Sequence, residues 1–411
     1  MTVSRAISAA EKLLSELSTW EKYEDAQTFP YAAVIGCYRS CGKHFVPFSV
    51  CVALASARKR VADLGEHLPG QTKLATFLDV ALDKWDDRYN YLTYLGIDLL
   101  DLQPEADGTT GRAQRDEWVA LLLCDLWSFE RGALAGTHDW LTEMRPGAAL
   151  ARKRMKLLTD VLVPLLPAAG THTDCAGLDE LTRERVAQTT ADQRCRLALS
   201  MQPVYLVHDE YMFIRVLQSF EVTFAAMAGH VRDAIGAVRE GRAHDAAASL
   251  AWCATVLQEA RLLFSLLATM QVESFRTFRV YTVGASAIQS GNYKTFEALC
   301  SMPLPERAES LAYEAVPQVR HRLDSGWQDL TSTVGQAVAR GVIDADGLRL
   351  LCAAALELED VHQRWKQTHW KLAVRMIGEE VGTGYTVGAP YLQSVLDNRL
   401  FARLAGVGAR A

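Results

Sequence analysis

Residues 365–388, WKQTHWKLAVRMIGEEVGTGYTVG, set the reading of the whole chain. Wound as a helix, Trp365, His369, Leu372, Ala373 and Met376 fall at i, i+4, i+7, i+8 and i+11, so they share one stripe. An imidazole therefore projects from an apolar face. Gly378 and then Gly382-Thr383-Gly384 break the periodicity. The break predicts a flexible loop whose backbone amides and threonine hydroxyl can close over a ligand. On its own His369 reads as a core residue, because a lone imidazole on an apolar face is more often packed than ligating.

Helical periodicity runs through the rest of the chain and no alternating strand pattern of useful length occurs, so the expected fold class is all-α. Residues 4–24 start at a Ser4 cap and carry Leu13, Leu14, Leu17 and Trp20 at helical spacing. Further helices are expected over Tyr31–Arg39, Phe48–Ala62, Thr72–Leu102, Asp116–Leu134 and Gly147–Val163, with a loop over Gln103–Gly111. The stretch 167–177, PAAGTHTDCAG, interrupts the pattern. Long helices follow over Leu181–Ala237, Ala246–Met270, Glu309–Arg340 and Asp344–Glu380. A boundary in that interruption gives an N-terminal helical domain over 1–175, with no role assigned by its sequence, and a second domain over 176–411.

A length of 411 residues, 49% hydrophobic and 22% charged, suits a globular chain of two parts with a sizeable core. The net charge of −6 gives no basic field for nucleic acid or an anionic membrane surface, so neither is expected as a partner. At the N-terminus, MTVSRAISAAEKLLSEL intersperses charges with apolar residues and does not read as a signal peptide. The most apolar short run, Val161–Leu166, contains Pro164, so no membrane span is expected and the expected compartment is the cytoplasm. Nine cysteines, an odd number scattered along the chain, fit reduced thiols better than a disulfide framework.

Three local patterns invite chemistry and read more simply as structure. Cys37, Cys41 and His44 can share a helix face, but a zinc site needs a fourth ligand, for which Cys51 is the candidate, and buried thiols are the simpler reading. Asp86-Asp87-Arg88 superficially matches an aspartate-rich magnesium motif without a second metal motif, so charges partnered by Arg88 are expected. Glu359 and His362 form one Glu-x-x-His, where a di-iron bundle needs two such pairs and two further glutamates.

Two more stretches change the weight given to His369: 208–224, HDEYMFIRVLQSFEVTF, and 275–297, FRTFRVYTVGASAIQSGNYKTFE. Together with Trp-x-x-x-His and Gly-Thr-Gly they resemble the tryptophan 2,3-dioxygenase family, whose segments read approximately HDExLFIxxHQxxELWF, FxxFRxxLxxASGFQSxQFRxxE and WxxxHxxMVxRxIGxxxGTGGSSG. The matching residues include Phe278-Arg279, Ala285-Ser286, Gln289-Ser290, Glu297, the His369-to-Thr383 spacing and Tyr391-Leu392. The resemblance covers roughly residues 200–405. Each motif is weak alone, and three in order at compatible spacing carry the signal.

The resemblance implies a mainly helical heme-binding domain, preceded here by the extra N-terminal helices. It implies heme b, non-covalently held because no Cys-x-x-Cys-His occurs, with His369 as the axial ligand to iron. Arg279 matches the arginine that takes the substrate carboxylate, Phe275 the aromatic wall one turn before it, and Thr383 the loop threonine that engages the amino-acid end, flanked by Gly382 and Gly384. Where the family has a distal histidine this chain has Leu217, with Phe213 one turn earlier expected to line the same pocket. His208 matches a different histidine, that of HDE. Leucine cannot accept a hydrogen bond from an indole N–H. Thr223 replaces the family's tryptophan, and GTGGSSG becomes GTGYTVG.

The function implied is O₂ insertion into tryptophan or a related aromatic amino acid. The alternative is a heme-dependent mono-oxygenase of an aromatic amino acid derivative in specialised metabolism, and a third reading is a non-enzymatic heme sensor. Arg279 and Thr383 argue against the sensor, which needs no amino-acid clamp. The sequence leaves open whether the chain forms a homo-oligomer.

Overall fold

The computed structural model describes residues 2–23, 25–63, 70–103, 107–166, 175–378, 382 and 388–404. Among them no strand forms, only an isolated bridge between Glu143 and Val207, so the all-α expectation holds. The chain folds into two compact units that interleave in sequence. The first comprises residues 1–101, 121–218 and 269–285, and the second residues 102–120, 219–268 and 286–411. A single crossing at 167–177 is not how the contacts divide, and residues 167–174 lie outside the described ones.

In the first unit, the helices Thr2–Trp20, Tyr31–Cys41, Phe48–Asp63 and Gln71–Ala81 close around one core. Leu13, Leu17 and Trp20 meet Val34, Leu54, Phe77 and Leu78 there, joined by Leu199 from far along the chain. Each such side chain contributes roughly 1.5–3 kcal/mol on burial. The Trp20 indole N–H donates to the Asp25 carbonyl at 2.8 Å, and its ring meets Phe29 at 5.2 Å, so the first helix ends in a fixed turn.

The expected long helix over Thr72–Leu102 is broken, and a buried charge explains the break. Lys43 reaches Asp83 at 2.9 Å and the Val80 carbonyl at 2.6 Å, both partners lying at the end of Gln71–Ala81. Asp87 then takes a φ of 57°, and the Asn90 side chain accepts from the amides of Leu92 (2.9 Å) and Thr93 (3.1 Å), capping a separate Tyr91–Leu95 helix. The stretch expected as helix over Leu181–Ala237 likewise divides into Cys175–Ala187, Ala191–Leu199 and His208–Arg239. A capping box between Thr190 and Gln193 starts the second piece.

In the second unit, Ala243–Leu267 packs along Ala345–Ile377. The former has the length and apolarity of a membrane-crossing helix, but its buried Leu250, Leu257, Leu263 and Phe264 place it among core helices. Asp344 caps the latter by accepting from the Gly347 amide at 2.8 Å, and Gly378 ends it at a φ of 60°. A smaller core of Ala298, Tyr313, Val316, Val319 and Leu323 lies around the Gly291–Cys300 and Pro317–Asp324 helices. Pro317 explains why 309–340 is not one helix: it supplies no N–H to a preceding turn but suits the first turn of a new one.

Candidate functional site

Within the second unit, the long Ala345–Ile377 helix carries His369 on a stripe with Trp365, as its spacing predicted. The imidazole is half-buried. It stacks on Phe264 at 6.0 Å and meets Trp365 at 5.5 Å. Burial drives its pKa from 6.5 down to about 4, so it is neutral at physiological pH. Among the described residues no hydrogen bond reaches either ring nitrogen. A neutral nitrogen with its lone pair available, set among flat aromatic rings, is the donor that a planar macrocyclic iron cofactor requires.

Aromatic packing fixes this face. Trp365 touches Phe220 (5.9 Å), Phe224 (5.5 Å), Phe264 (5.6 Å) and Tyr293 (5.7 Å). One turn before it, His362 is wholly buried and shares a 2.9 Å hydrogen bond with the Tyr293 hydroxyl. Glu359, 3.9 Å from His362, accepts from the Phe401 amide at 3.0 Å and from Gln363 at 2.9 Å. The Glu-x-x-His pattern is thus occupied in holding the helix and the C-terminal segment.

The first unit holds the residues expected to take the substrate. From 207 to 224, every side chain is buried except Phe213 and Leu217, which are one turn apart on the His208–Arg239 helix. The Phe213 ring lies 5.7 Å from Phe275, 5.5 Å from Phe278 and 6.4 Å from Tyr94. Phe275 and Arg279 are both half-buried, one turn apart on the Val272–Arg279 helix. The structure therefore brings Phe213 and Phe275 together and carries Leu217 and Arg279 on the same two helices. In the loop, Gly382 is half-buried, while Thr383 and Gly384 lie outside the described residues.

The buried side of the His208–Arg239 helix is held by its own motif residues together with partners that no local motif announces. His208 is 3.3 Å from Glu130 and stacks on Phe129 at 4.7 Å. Arg154, wholly buried, bridges Glu130 at 3.2 Å and Asp209 at 2.7 Å. Glu210 accepts from the amides of Val204 (2.7 Å) and Tyr205 (3.1 Å). Arg215 reaches Asp125 at 2.7 Å, and the Gln218 amide donates to the Leu95 carbonyl at 2.6 Å. Glu130, Asp125 and Arg154 come from sequence that carries no family motif, and only the fold places them here.

The weaker patterns resolve as structure. The Cys41 thiol donates to the Cys37 carbonyl at 3.2 Å, and the His44 ring packs on Tyr281 at 4.9 Å. Asp86 is paired with Arg58 at 2.9 Å and Arg88 at 2.7 Å, the former lowering its pKa most, to about 2.

No family model matches the chain. Among curated proteins, it is 28% identical over 230 residues to a tryptophan 2,3-dioxygenase of Anaeromyxobacter sp. (strain K), covering 49% of this chain and 86% of the relative. A tryptophan 2,3-dioxygenase of Anaeromyxobacter dehalogenans (strain 2CP-C) is 28% identical over 241 residues, 51% of this chain and 91% of the relative. One from Burkholderia mallei (strain SAVP1) is 26% identical over 294 residues, covering 60% and 96%. Over about half to 60% of its length the chain is thus similar to tryptophan 2,3-dioxygenases.

Against the tryptophan 2,3-dioxygenase pattern, the departures have local physical consequences. Leu217 offers no acceptor at the position of the distal histidine. Thr223, in place of a tryptophan, is buried and donates its hydroxyl to the Ser219 carbonyl at 2.8 Å, so it satisfies itself within the helix.

Proposed function

We propose that this chain is a heme-dependent dioxygenase acting on tryptophan or a closely related aromatic amino acid. The observation that carries the reading is His369: half-buried, pushed to about 4, and without a hydrogen bond to its ring among the described residues. The names of its relatives make it an oxidoreductase. Heme, when bound, supplies the iron that binds O₂.

The chain's own residues supply holding and orientation. His369 offers the iron a neutral nitrogen, so no proton need leave before ligation. Arg279 offers a planar fork of donors to the substrate carboxylate. Phe213, Leu217 and Phe275 form an apolar surface against which an aromatic ring loses water, and Thr383 of the glycine loop takes the amino-acid end. Fixing both ends of the substrate supplies the orientation on which the rate of ring attack depends.

A second reading, insertion of one oxygen atom, is favoured by Leu217, which removes the acceptor for an indole N–H. The two differ in balance: a dioxygenase places both atoms of O₂ in its product, whereas a mono-oxygenase sends one to water and consumes two electrons from an added reductant. Turnover of reduced protein with tryptophan under ¹⁸O₂ separates them by product mass. Incorporation of both labels supports the proposal, incorporation of one supports the alternative, and no product with any aromatic amino acid overturns both.

A further inference from the structure

In the second unit, His362 and Tyr293 form a hydrogen-bonded pair that ligation and substrate binding leave unused. The Tyr293 hydroxyl lies 2.9 Å from His362 Nε2, and Glu359 lies 3.9 Å from Nδ1 on the other side of the ring. The Glu359 carboxylate favours the tautomer with its proton on Nδ1, so the hydroxyl donates to Nε2. Burial lowers the His362 pKa, which keeps the ring neutral with a lone pair toward the phenol. Burial likewise raises the Tyr293 pKa, so its hydroxyl stays protonated at neutral pH.

Stacked rings join this pair to the His369 face. Tyr293 stacks on Trp365 at 5.7 Å, His362 lies nearly parallel to Trp365 at 6.3 Å, and Trp365 meets His369 at 5.5 Å. Rings this close pass an electron readily from one to the next. The two oxidisable rings differ in what becomes of their proton. Among the described residues the N–H of the buried Trp365 has no hydrogen-bond partner, and a positive charge left on a buried ring is costly. Tyr293 has an imidazole to receive its proton, and Glu359 offsets the imidazolium that results.

We infer that Tyr293 is a one-electron donor to heme that hydrogen peroxide has oxidised, with Trp365 as the relay and His362 as the proton acceptor. The Tyr293 O–H bond breaks and a His362 Nε2–H bond forms, while one electron passes through Trp365 to the heme and reduces it by one equivalent. Tyr293 is left as a neutral phenoxyl radical. This donation rests on His369 as the heme ligand proposed above, and it moves an oxidising equivalent off the heme onto a side chain.

The heme-loaded full chain, mixed with hydrogen peroxide and freeze-quenched, is read by electron paramagnetic resonance. A tyrosyl signal is expected, and it should narrow when the protein is made with ring-deuterated tyrosine. Tyr293→Phe and His362→Gln should each abolish it at a parental Soret band. Tyr313→Phe removes a hydroxyl that donates to Glu297 at 3.3 Å rather than to an imidazole, and should retain the signal. Tyr293→Phe should also lose its Soret band to peroxide sooner than the parent. A parent that shows no Soret band on heme addition overturns the heme reading and the role of Tyr293 together. A parent that loads heme yet gives no tyrosyl signal overturns the role of Tyr293 alone, as does an undiminished signal in either Tyr293→Phe or His362→Gln at a parental Soret band.

Discussion

Single residues carry the clearest tests. His369→Ala should abolish or strongly shift the Soret band of the heme-loaded protein, and an unchanged spectrum would remove His369 as the ligand. Its acid behaviour has a sign. The folded value, about 4, lies below the ordinary 6.5, so across that interval the unfolded chain takes up a proton that the folded chain refuses. Stability of the heme-free protein therefore falls as pH drops from about 6.5 to 4, and His369→Leu should flatten that slope in denaturant titrations at pH 7 and 5. At Arg279, loss of a carboxylate partner costs roughly 2–5 kcal/mol, about 30-fold to several thousandfold in binding. Arg279→Ala should weaken the aromatic amino acid by at least the lower bound at full heme loading and leave the matching amine nearly indifferent; equal weakening of both would show that Arg279 is not the clamp. Leu217 predicts weak discrimination between tryptophan and its N1-methyl analogue. Leu217→His should introduce a preference for the N–H form, and a parent that already prefers it strongly would contradict the apolar reading. His369, Arg279 and Leu217 stand out in sequence only through the resemblance, since each motif alone is weak and three in order at compatible spacing carry the signal. The exposure that singles out Phe213 and Leu217 was not legible, since it depends on what covers every other face of their helix.

Elements were legible where one amphipathic face runs uninterrupted and were misread where a buried polar group or a proline cuts it. Asp344–Glu380 was anticipated to within a few residues at its described end, because an aspartate cap and a glycine stop bracket the stripe. Over Thr72–Leu102 and Glu309–Arg340 the periodicity predicts longer helices than form: the partner of Asp83 is Lys43, distant in sequence, and Pro317 opens a helix rather than sitting within one. The Gly291–Cys300 helix shows how such polar groups fix an element. Glu297 is buried and meets Lys294 at 3.0 Å and Arg307 at 2.6 Å, and Lys294 foremost among these charges brings its pKa down to about 2 despite burial. Glu297→Gln leaves the buried Lys294 and the half-buried Arg307 without their counter-charge and should destabilise the protein by roughly 3–5 kcal/mol at pH 7. The depressed value means that the contribution is present above the ordinary 4.5 and is lost as pH falls toward 2. The gap between parent and variant should therefore narrow in acid, and a gap that stays constant from pH 7 to 3 would show that packing rather than charge is responsible.

At the scale of the whole molecule, the relation between the N-terminal residues and the family-like segment is structural. Residues 1–101 and 121–218 belong to one compact unit, and the links that unite them cross the interruption at 167–177. The amides of Lys43 and His44 donate to the carbonyls of Pro203 (2.8 Å) and Val204 (3.2 Å). Lys73 pairs with Asp192 at 2.6 Å, Arg154 with Asp209 at 2.7 Å, and Leu199 completes the N-terminal core. Two of these ion-pair partners, Arg154 and Asp209, are wholly buried, where breaking a pair is costly. Sequence alone suggested a boundary because composition changes at 167–177, but composition reports only the local chain and not which segments share a core. Cleavage between 167 and 177 is accordingly expected to leave two fragments that stay together. After limited proteolysis the pieces should separate on a denaturing gel yet co-elute at the size of the intact chain in native buffer, and heme loading should persist. Release of a free N-terminal fragment under native conditions would show instead that residues 1–166 fold independently and that the cross-links named here contribute little.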